Sequence, residues 1–322
     1  MSWTFTDEAT LERGFSTTIE TFWQRQVEQS VMTGKDGVSV HVAWCVPNNA
    51  RNTVVISSGR IESLLKYKEL IFDLYQNQLA VFILDHRGQG LSGRMTDDPQ
   101  HGFVASFDDY VDDLLTFTDT IVAPRQVGQL TLLCHSMGGA IGALTLLRDP
   151  SRFSKAVLAS PMFGIRPALP PWLANSLVHT GLAWNRLRKK RSGYFFGQTP
   201  YVAFPYTLNK LTHSKVRYEL FRQLYDEERQ IQLGGVTSEW LHAAQVAMNR
   251  IEACAPQITT PTLIFSADGD SIIDNDRQRR VARRFADAQL EVIPEAYHEL
   301  FTEADQYRDK VLTQTLDFLT QP

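Results

Sequence analysis

The chain has 322 residues, 43% of them hydrophobic and 21% charged, so a sizeable core is available and the length suits two domains or one large domain with an insertion. A net charge of −4 argues against a general nucleic-acid binder, and three scattered cysteines, Cys45, Cys134 and Cys254, read as reduced thiols rather than a metal or disulfide set. The N-terminus lacks a basic stretch followed by an apolar one, so no signal peptide is expected, and no run reaches the roughly 18 apolar residues a membrane span needs. A cytoplasmic protein is expected, with any membrane contact peripheral.

Residues 1–30 read as a helical arm, with Phe15, Ile19, Phe22 and Trp23 at near-helical spacing. Val38 to Val46 alternates as a strand, and Thr53-Val54-Val55-Ile56-Ser57 is a short buried strand running into Ser58-Gly59. A helix pattern follows with Leu64, Tyr67, Leu70, Ile71 and Leu74, then the strand Leu79 to Asp85 and the loop His86-Arg87-Gly88-Gln89-Gly90. Phe107 to Val122 turns Tyr110, Val111, Leu114, Leu115 and Phe117 inward as a helix. Leu130 to Cys134 is a buried strand that breaks at His135-Ser136, meets Gly138-Gly139 and turns helical. The strand Ala156 to Ala159 comes next. Short buried strands alternating with helices predict a mostly parallel sheet covered on both faces.

That rhythm stops near Pro161 and resumes at Pro261 with the strand Thr262 to Ala267, a helix from about Asn275 to Ala286, the strand Leu290 to Ile293 and a helix from Asp305 to Leu319. Residues 1–165 and 258–322 thus read as one core, and 166–257 as an inserted, mainly helical cap. Insertions there build over the carboxyl-end crevice where such sheets bind ligands. The cap holds 12 Lys and Arg against 6 Asp and Glu, or +6, while the remainder holds 20 against 30, or −10. Leu173, Leu177, Trp184 and Leu187 fall on one predicted helix, and Arg186, Arg188, Lys189, Lys190 and Arg191 lie at its end. A solvated basic end explains this pattern, and so does an amphipathic surface that touches anionic lipid and admits one acyl chain.

A buried strand that ends in Ser and re-enters as a helix is the context of a nucleophile elbow. Ser136 therefore needs an acid and a histidine later in the chain. Asp268-Gly269-Asp270 follows the strand Thr262–Ala267, and His298 follows the last strand, so both fall at strand ends in the order Ser, acid, His. In that chemistry His298 takes the proton of Ser136, and the acid orients the imidazole. Two backbone N–H groups would hold the oxyanion: that of Met137, after the nucleophile, and that of Arg60, after Gly59. Spacing alone leaves Asp268 and Asp270 both open as the acid. Asp85-His86-Arg87-Gly88-Gln89-Gly90 lacks the ending of a phosphate loop and reads as a tight turn bracing the site. The eight histidines show no ligand spacing, so no metal is expected, nor any cofactor.

With these motifs in place, residues 53–165 and 258–322 resemble the α/β-hydrolase superfamily near the monoacylglycerol lipases. Over nearly the whole length the chain resembles the bacterial lysophospholipases of the L-two type. The matching stretches are Gly59–Ser63, Asp85–Gly90, His135–Gly139, Pro161–Ile165, Thr212–Ser214 and Ala296–Glu299. The resemblance implies an α/β-hydrolase fold and cleavage of the acyl ester of a lysophospholipid, with a monoacylglycerol lipase, a broad esterase and acyl transfer as alternatives on the same acyl-enzyme. A hydrolase-fold binding protein without activity is the remaining reading. The family pattern puts the nucleophile on Ser136, the base on His298 and the acid on Asp270, and makes Met162 and Phe163 candidates for substrate contact. One departure stands out: Cys134 replaces the first glycine of G-x-S-x-G, where the elbow needs a small residue.

Overall fold

The computed structural model describes residues 3–166, 170–187 and 192–321. Its centre is one eight-stranded sheet built from β1 (Glu28–Thr33), β2 (Ser39–Cys45), β3 (Asn52–Ser57), β4 (Leu79–Leu84), β5 (Leu130–His135), β6 (Lys155–Ala159), β7 (Thr262–Ala267) and β8 (Ala288–Ile293), in the order β1-β2-β4-β3-β5-β6-β7-β8. β1 and β2 run antiparallel to their neighbours, and every pairing from β4 to β8 is parallel. Strands buried on both faces cannot alternate polar with apolar, which is why β4 and β5 are apolar almost throughout. Ala80, Phe82 and Leu84 of β4 point to one face, and Leu79, Val81 and Ile83 to the other.

Helices α1 (Glu8–Gly14), α2 (Glu20–Gln26), α3 (Lys68–Gln76), α4 (Phe107–Phe117) and α5 (Met137–Arg148) precede β6. Three more, α6 (Pro171–Leu187), α7 (Lys215–Glu227) and α8 (Ser238–Cys254), lie between β6 and β7; α9 (Asn275–Ala282) and α10 (Asp305–Thr320) follow. One face of the sheet buries α4, α5 and α8, the other α2, α3 and α10. α8 falls inside the segment read as cap, yet Trp240, Ala244, Met248 and Ile251 belong to the same apolar cluster as β5 and α5. Gly181 lets α6 ride closely over α8, since a Cβ there would lie 2.1 Å from Ser238 Oγ.

Two elements differ from the sequence reading. The arm is helical only to Gln26, and Glu28–Thr33 forms the edge strand β1, paired residue for residue with β2 through a Gly34–Gly37 turn. Its side chains are mostly exposed, with only Met32 buried, so no apolar period marks it as a strand. Within the arm a π-helical turn at Phe15–Ile19 joins α1 to α2 and brings Ile19, Phe22 and Trp23 inward. The helix expected to reach Ala286 ends at Ala282, where Arg283 N–H bonds back to Arg279 O.

The order β4-β3-β5 means the chain runs outward after β3 and then returns. The loops after β3 and β5 therefore diverge from adjacent strand ends and open a crevice between them.

Candidate active site

β5 ends on His135, and Ser136 turns the chain into α5 with φ 51° and ψ −115°. A positive φ on a non-glycine residue is strained, and here it is held by neighbours on every side. Ser136 N–H donates to Ala159 O at 3.0 Å, and Gly139 and Met162 N–H groups both donate to Ser136 O at 2.9 Å. The turn needs small residues at two positions. A Cβ on Gly138 would lie 2.0 Å from Ser57 O, and one on Gly139 2.6 Å from Pro161 Cβ. Gly138 thus lets the end of β3 close on the elbow. Cys134 is fully buried, with its Sγ where a Cβ on Gly142 would sit at 2.6 Å; the larger side chain at the elbow is matched by a missing one on α5.

The three residues read as nucleophile, acid and base meet in space. His298 Nε2 lies 2.9 Å from Ser136 Oγ, and His298 Nδ1 2.7 Å from Asp270 Oδ2. Ser136, Asp270 and His298 are all buried. Burial pushes the Asp270 carboxyl up, but His298 and the N–H groups of Ile272 and Ile273, which donate to Oδ1 at 2.7 and 3.1 Å, hold it below the usual carboxylate range. Asp268 is turned outward, 55% exposed, and is paired with Arg279 at 2.6 Å. Asp274 caps α9 by accepting from Arg277 N–H.

The loop 58–62 runs beside Ser136. Among the described residues neither Arg60 N–H nor Met137 N–H has an intramolecular acceptor, so both are available to an oxyanion. Asp85 braces this loop from below, accepting from Leu64 and Leu91 N–H at 2.6 Å each and from Ser63 Oγ at 3.1 Å. Gln89 Nε2 donates to Gly59 O and Glu62 O at 2.7 and 3.0 Å. The tight turn after β4 therefore braces the loop, as the sequence suggested. Ile61 stands at φ 66°, and its carbonyl accepts a hydrogen bond from Tyr225 on α7.

A buried ionic cluster beneath the site was not legible as such in the sequence, although Glu62, His135 and Glu299 lie inside the matching motifs. Glu62 accepts from Gly59 N–H, from Tyr67 at 2.6 Å and from Lys66 at 2.6 Å; Lys66 also reaches Glu299 at 2.7 Å. His135 Nδ1 lies 3.2 Å from Glu62, and its Nε2 lies 3.2 Å from His298 O. Burial works to lower the pKa of His135, but Glu62 and then Glu299 outweigh it and push it up to about 9. Ligand atoms of Glu62, His135 and Glu299 lie within 4.8 Å of one another, as a metal would require. The Lys66 ammonium already bridges the two carboxylates and supplies the positive charge there. Of the substrate-contact candidates, Met162 sits beside Ser136 through its backbone. Phe163 is fully buried with its ring 5.6 Å from that of Phe285, so it is a packing residue.

With this geometry established, comparison with known proteins gives a consistent result. A family model described as serine aminopeptidase, S33, matches residues 48–305. Lysophospholipase L2 of Escherichia coli K12 is 37% identical over 307 residues, covering 93% of this chain and 89% of that one. A probable lysophospholipase L2 of Haemophilus influenzae is 32% identical, covering 91% and 92%. Among solved structures, a soluble variant of Saccharomyces cerevisiae monoglyceride lipase superimposes with a TM-score of 0.69 at 18% identity, covering 92% of this chain and 95% of that one, a likeness of fold. The chain belongs to the serine aminopeptidase S33 family and has the α/β-hydrolase fold.

Proposed function

We propose that the protein is a carboxylic ester hydrolase that removes the remaining acyl chain of lysophospholipids through an acyl-enzyme on Ser136. The observation that carries this reading is the continuous relay from Ser136 Oγ through His298 to Asp270, at 2.9 and 2.7 Å, with the N–H groups of Arg60 and Met137 lacking an acceptor among the described residues. The lysophospholipid substrate is supported by the likeness to the L2 lysophospholipases across nearly all of both chains.

Ser136 Oγ attacks the acyl carbonyl as His298 Nε2 accepts its proton, and the imidazolium is stabilised by Asp270. The N–H groups of Arg60 and Met137 hold the tetrahedral oxyanion. Collapse breaks the ester C–O bond, and the departing glycerol oxygen takes the proton from His298. Water then repeats the sequence on the acyl-Ser136 ester, releasing the fatty acid and restoring the serine. Every proton is returned, so no cofactor is required.

Ser136→Ala should lower kcat at least about a thousandfold with an unchanged circular dichroism spectrum. Residual activity above that level removes Ser136 from the role. Comparing kcat/KM for a lysophosphatidylethanolamine and a monoacylglycerol of equal chain length tests the substrate class, and a clear preference for the second makes the protein a monoacylglycerol lipase.

Contact with a membrane surface belongs to the same reading. No described helix is long and apolar enough to cross a membrane. The exposed large apolar side chains instead concentrate in the cap, with Trp172 72%, Phe196 55%, Leu208 64% and Leu187 79% exposed. Exposed aromatic and aliphatic groups beside a basic segment suit an anionic lipid interface. Arg188 to Arg191 lie outside the described residues, while Arg186 is exposed at the end of α6.

A further inference from the structure

Arg60 offers two groups in different places. Its backbone N–H stays beside the nucleophile, while its side chain leaves the loop and passes under the cap. There Nη1 donates to Gly234 O at 3.2 Å, and the guanidinium lies over the Trp240 ring, 5.6 Å from its centroid. The loop carrying Gly102 closes the other side. Gly102 N–H donates to Gly235 O and Thr237 N–H to Gly102 O, each at 3.0 Å, and a Cβ on Gly102 would stand 2.9 Å from Nη1. Neutral backbone and an indole ring thus line one side of the part-buried cation.

No carboxylate among the described residues lies within ion-pair distance of Arg60. The three buried arginines among the described residues are treated differently: Arg87 grips Asp113 at 2.6 Å, Arg217 grips Glu69 at 2.8 Å and Arg308 grips Asp73 at 2.7 Å. Arg94, part-buried like Arg60, instead spreads its donors over the carbonyls of Pro99, Ser92, Gly90 and Gln230. A desolvated cation without a counter-ion is costly, and here burial, weakly opposed by Tyr110, pulls the pKa of Arg60 down to about 10. A guanidinium has five N–H donors, and a single acceptor, Gly234 O, is assigned to this one.

We infer that the Arg60 guanidinium is an anion subsite holding the phosphodiester of the substrate's head group while the acyl carbonyl occupies Ser136. The inference rests on the lysophospholipid reading above and adds to it the group that recognises the head. The glycerol backbone separates the scissile ester from the phosphate, a span comparable with an extended arginine side chain. One residue can therefore bind the oxyanion through its main chain and the phosphate through its side chain. The planar fork matches two phosphate oxygens, and such charge-assisted pairs are strong where water is excluded. A monoacylglycerol presents a neutral hydroxyl at that position and leaves the cation uncompensated. Gly234 and Trp240 lie in the segment between β6 and β7, so the subsite is assembled only with that segment in place.

The test uses Arg60→Met and Arg60→Lys in the full chain with short-chain, monomeric substrates. The readout is the ratio of kcat/KM for a lysophosphatidylethanolamine to that for the monoacylglycerol with the same acyl chain, in which any common effect on acyl transfer cancels. Arg60→Met should lower this ratio about 30-fold or more, and Arg60→Lys should restore part of it. A second arm needs no lysophospholipid turnover: glycerophosphoethanolamine should competitively inhibit p-nitrophenyl butyrate hydrolysis by the wild type and fail to inhibit Arg60→Met. An unchanged ratio with equal inhibition of both proteins overturns the subsite and leaves the lysophospholipid reading standing. If the wild type turns over only the monoacylglycerol, that reading fails, and the inhibition arm alone then decides whether Arg60 binds the phosphodiester.

Discussion

At the scale of single residues, the competition between Asp268 and Asp270 is decided by where each carboxylate finds its partners. Asp270 receives His298 and two backbone N–H groups in a buried position, whereas Asp268 faces solvent and Arg279. Asp270→Asn should therefore lower kcat by about 10⁴-fold, because an amide favours the wrong imidazole tautomer. Asp268→Asn should stay within about 2-fold, and the reverse order in steady-state assays would exchange their roles. His135 gives a second prediction. Its pKa is raised from 6.5 to about 9, so it binds its proton more tightly folded than unfolded. The resulting stability is fully present below pH 6.5 and is lost as pH rises through about 9, an effect of about 3 kcal/mol at most. Urea midpoints between pH 6.5 and 9 should fall in the wild type and flatten in His135→Gln. Parallel slopes would show that His135 is not charged in the fold.

At the scale of elements, the elbow is a joint between β5 and α5 whose tolerances are shared by several residues. Cys134 fits because Gly142 has no side chain, which answers the question raised by the missing motif glycine. Gly142→Ala should destabilise the protein by about 1–3 kcal/mol through overpacking, despite the better helix propensity of alanine. In the Cys134→Gly background the same change should cost much less, so thermal unfolding of the four proteins in the cycle should show coupling of about 1 kcal/mol or more. Additive losses would mean that Sγ and Gly142 do not constrain each other. Tyr225 forms the corresponding joint between α7 and the loop 58–62, holding the strained Ile61 through its carbonyl. Tyr225→Phe should lower kcat about 10-fold with little change in KM, as loss of a positioning contact would; an unaltered kcat would show that the loop keeps its shape unaided.

At the scale of the molecule, the N-terminal arm, α7 with the turn before it, and the loop carrying His298 are tied into one framework. Arg217 of α7 joins Glu69 and Asp305, Ser214 donates to Glu8 at 2.5 Å, and Glu303 accepts from His213 and from Tyr297 N–H beside His298. The matching stretch Thr212–Ser214 is therefore an anchor between the start of α7 and the loop carrying His298. The exposed apolar side chains of the cap predict that anionic vesicles co-sediment the protein in a salt-sensitive way, and that Trp172→Ala with Leu187→Ala weakens this at least about 5-fold. Vesicle binding unchanged by both substitutions would remove the membrane role from this surface.

The parallel strands, the elbow and the order Ser136, Asp270, His298 were legible in the chain because each depends on local pattern: apolar runs, a small-residue turn and loops at strand ends. The strand β1 was not, since its exposed side chains leave no period to read. Nor were the places of α8 in the core and Phe163 against Phe285, which depend on contacts distant in sequence. Sequence determined that a serine, a carboxylate and a histidine fall in that order at strand ends, and roughly where they lie. Only the tertiary structure decided which carboxylate faces the histidine, how Lys66 and His135 balance Glu62 and Glu299, and that the Arg60 guanidinium lies on Gly234 and Trp240 with no carboxylate partner among the described residues. Charges interact through space and through the water that burial removes, and neither quantity is written in the order of residues along a chain.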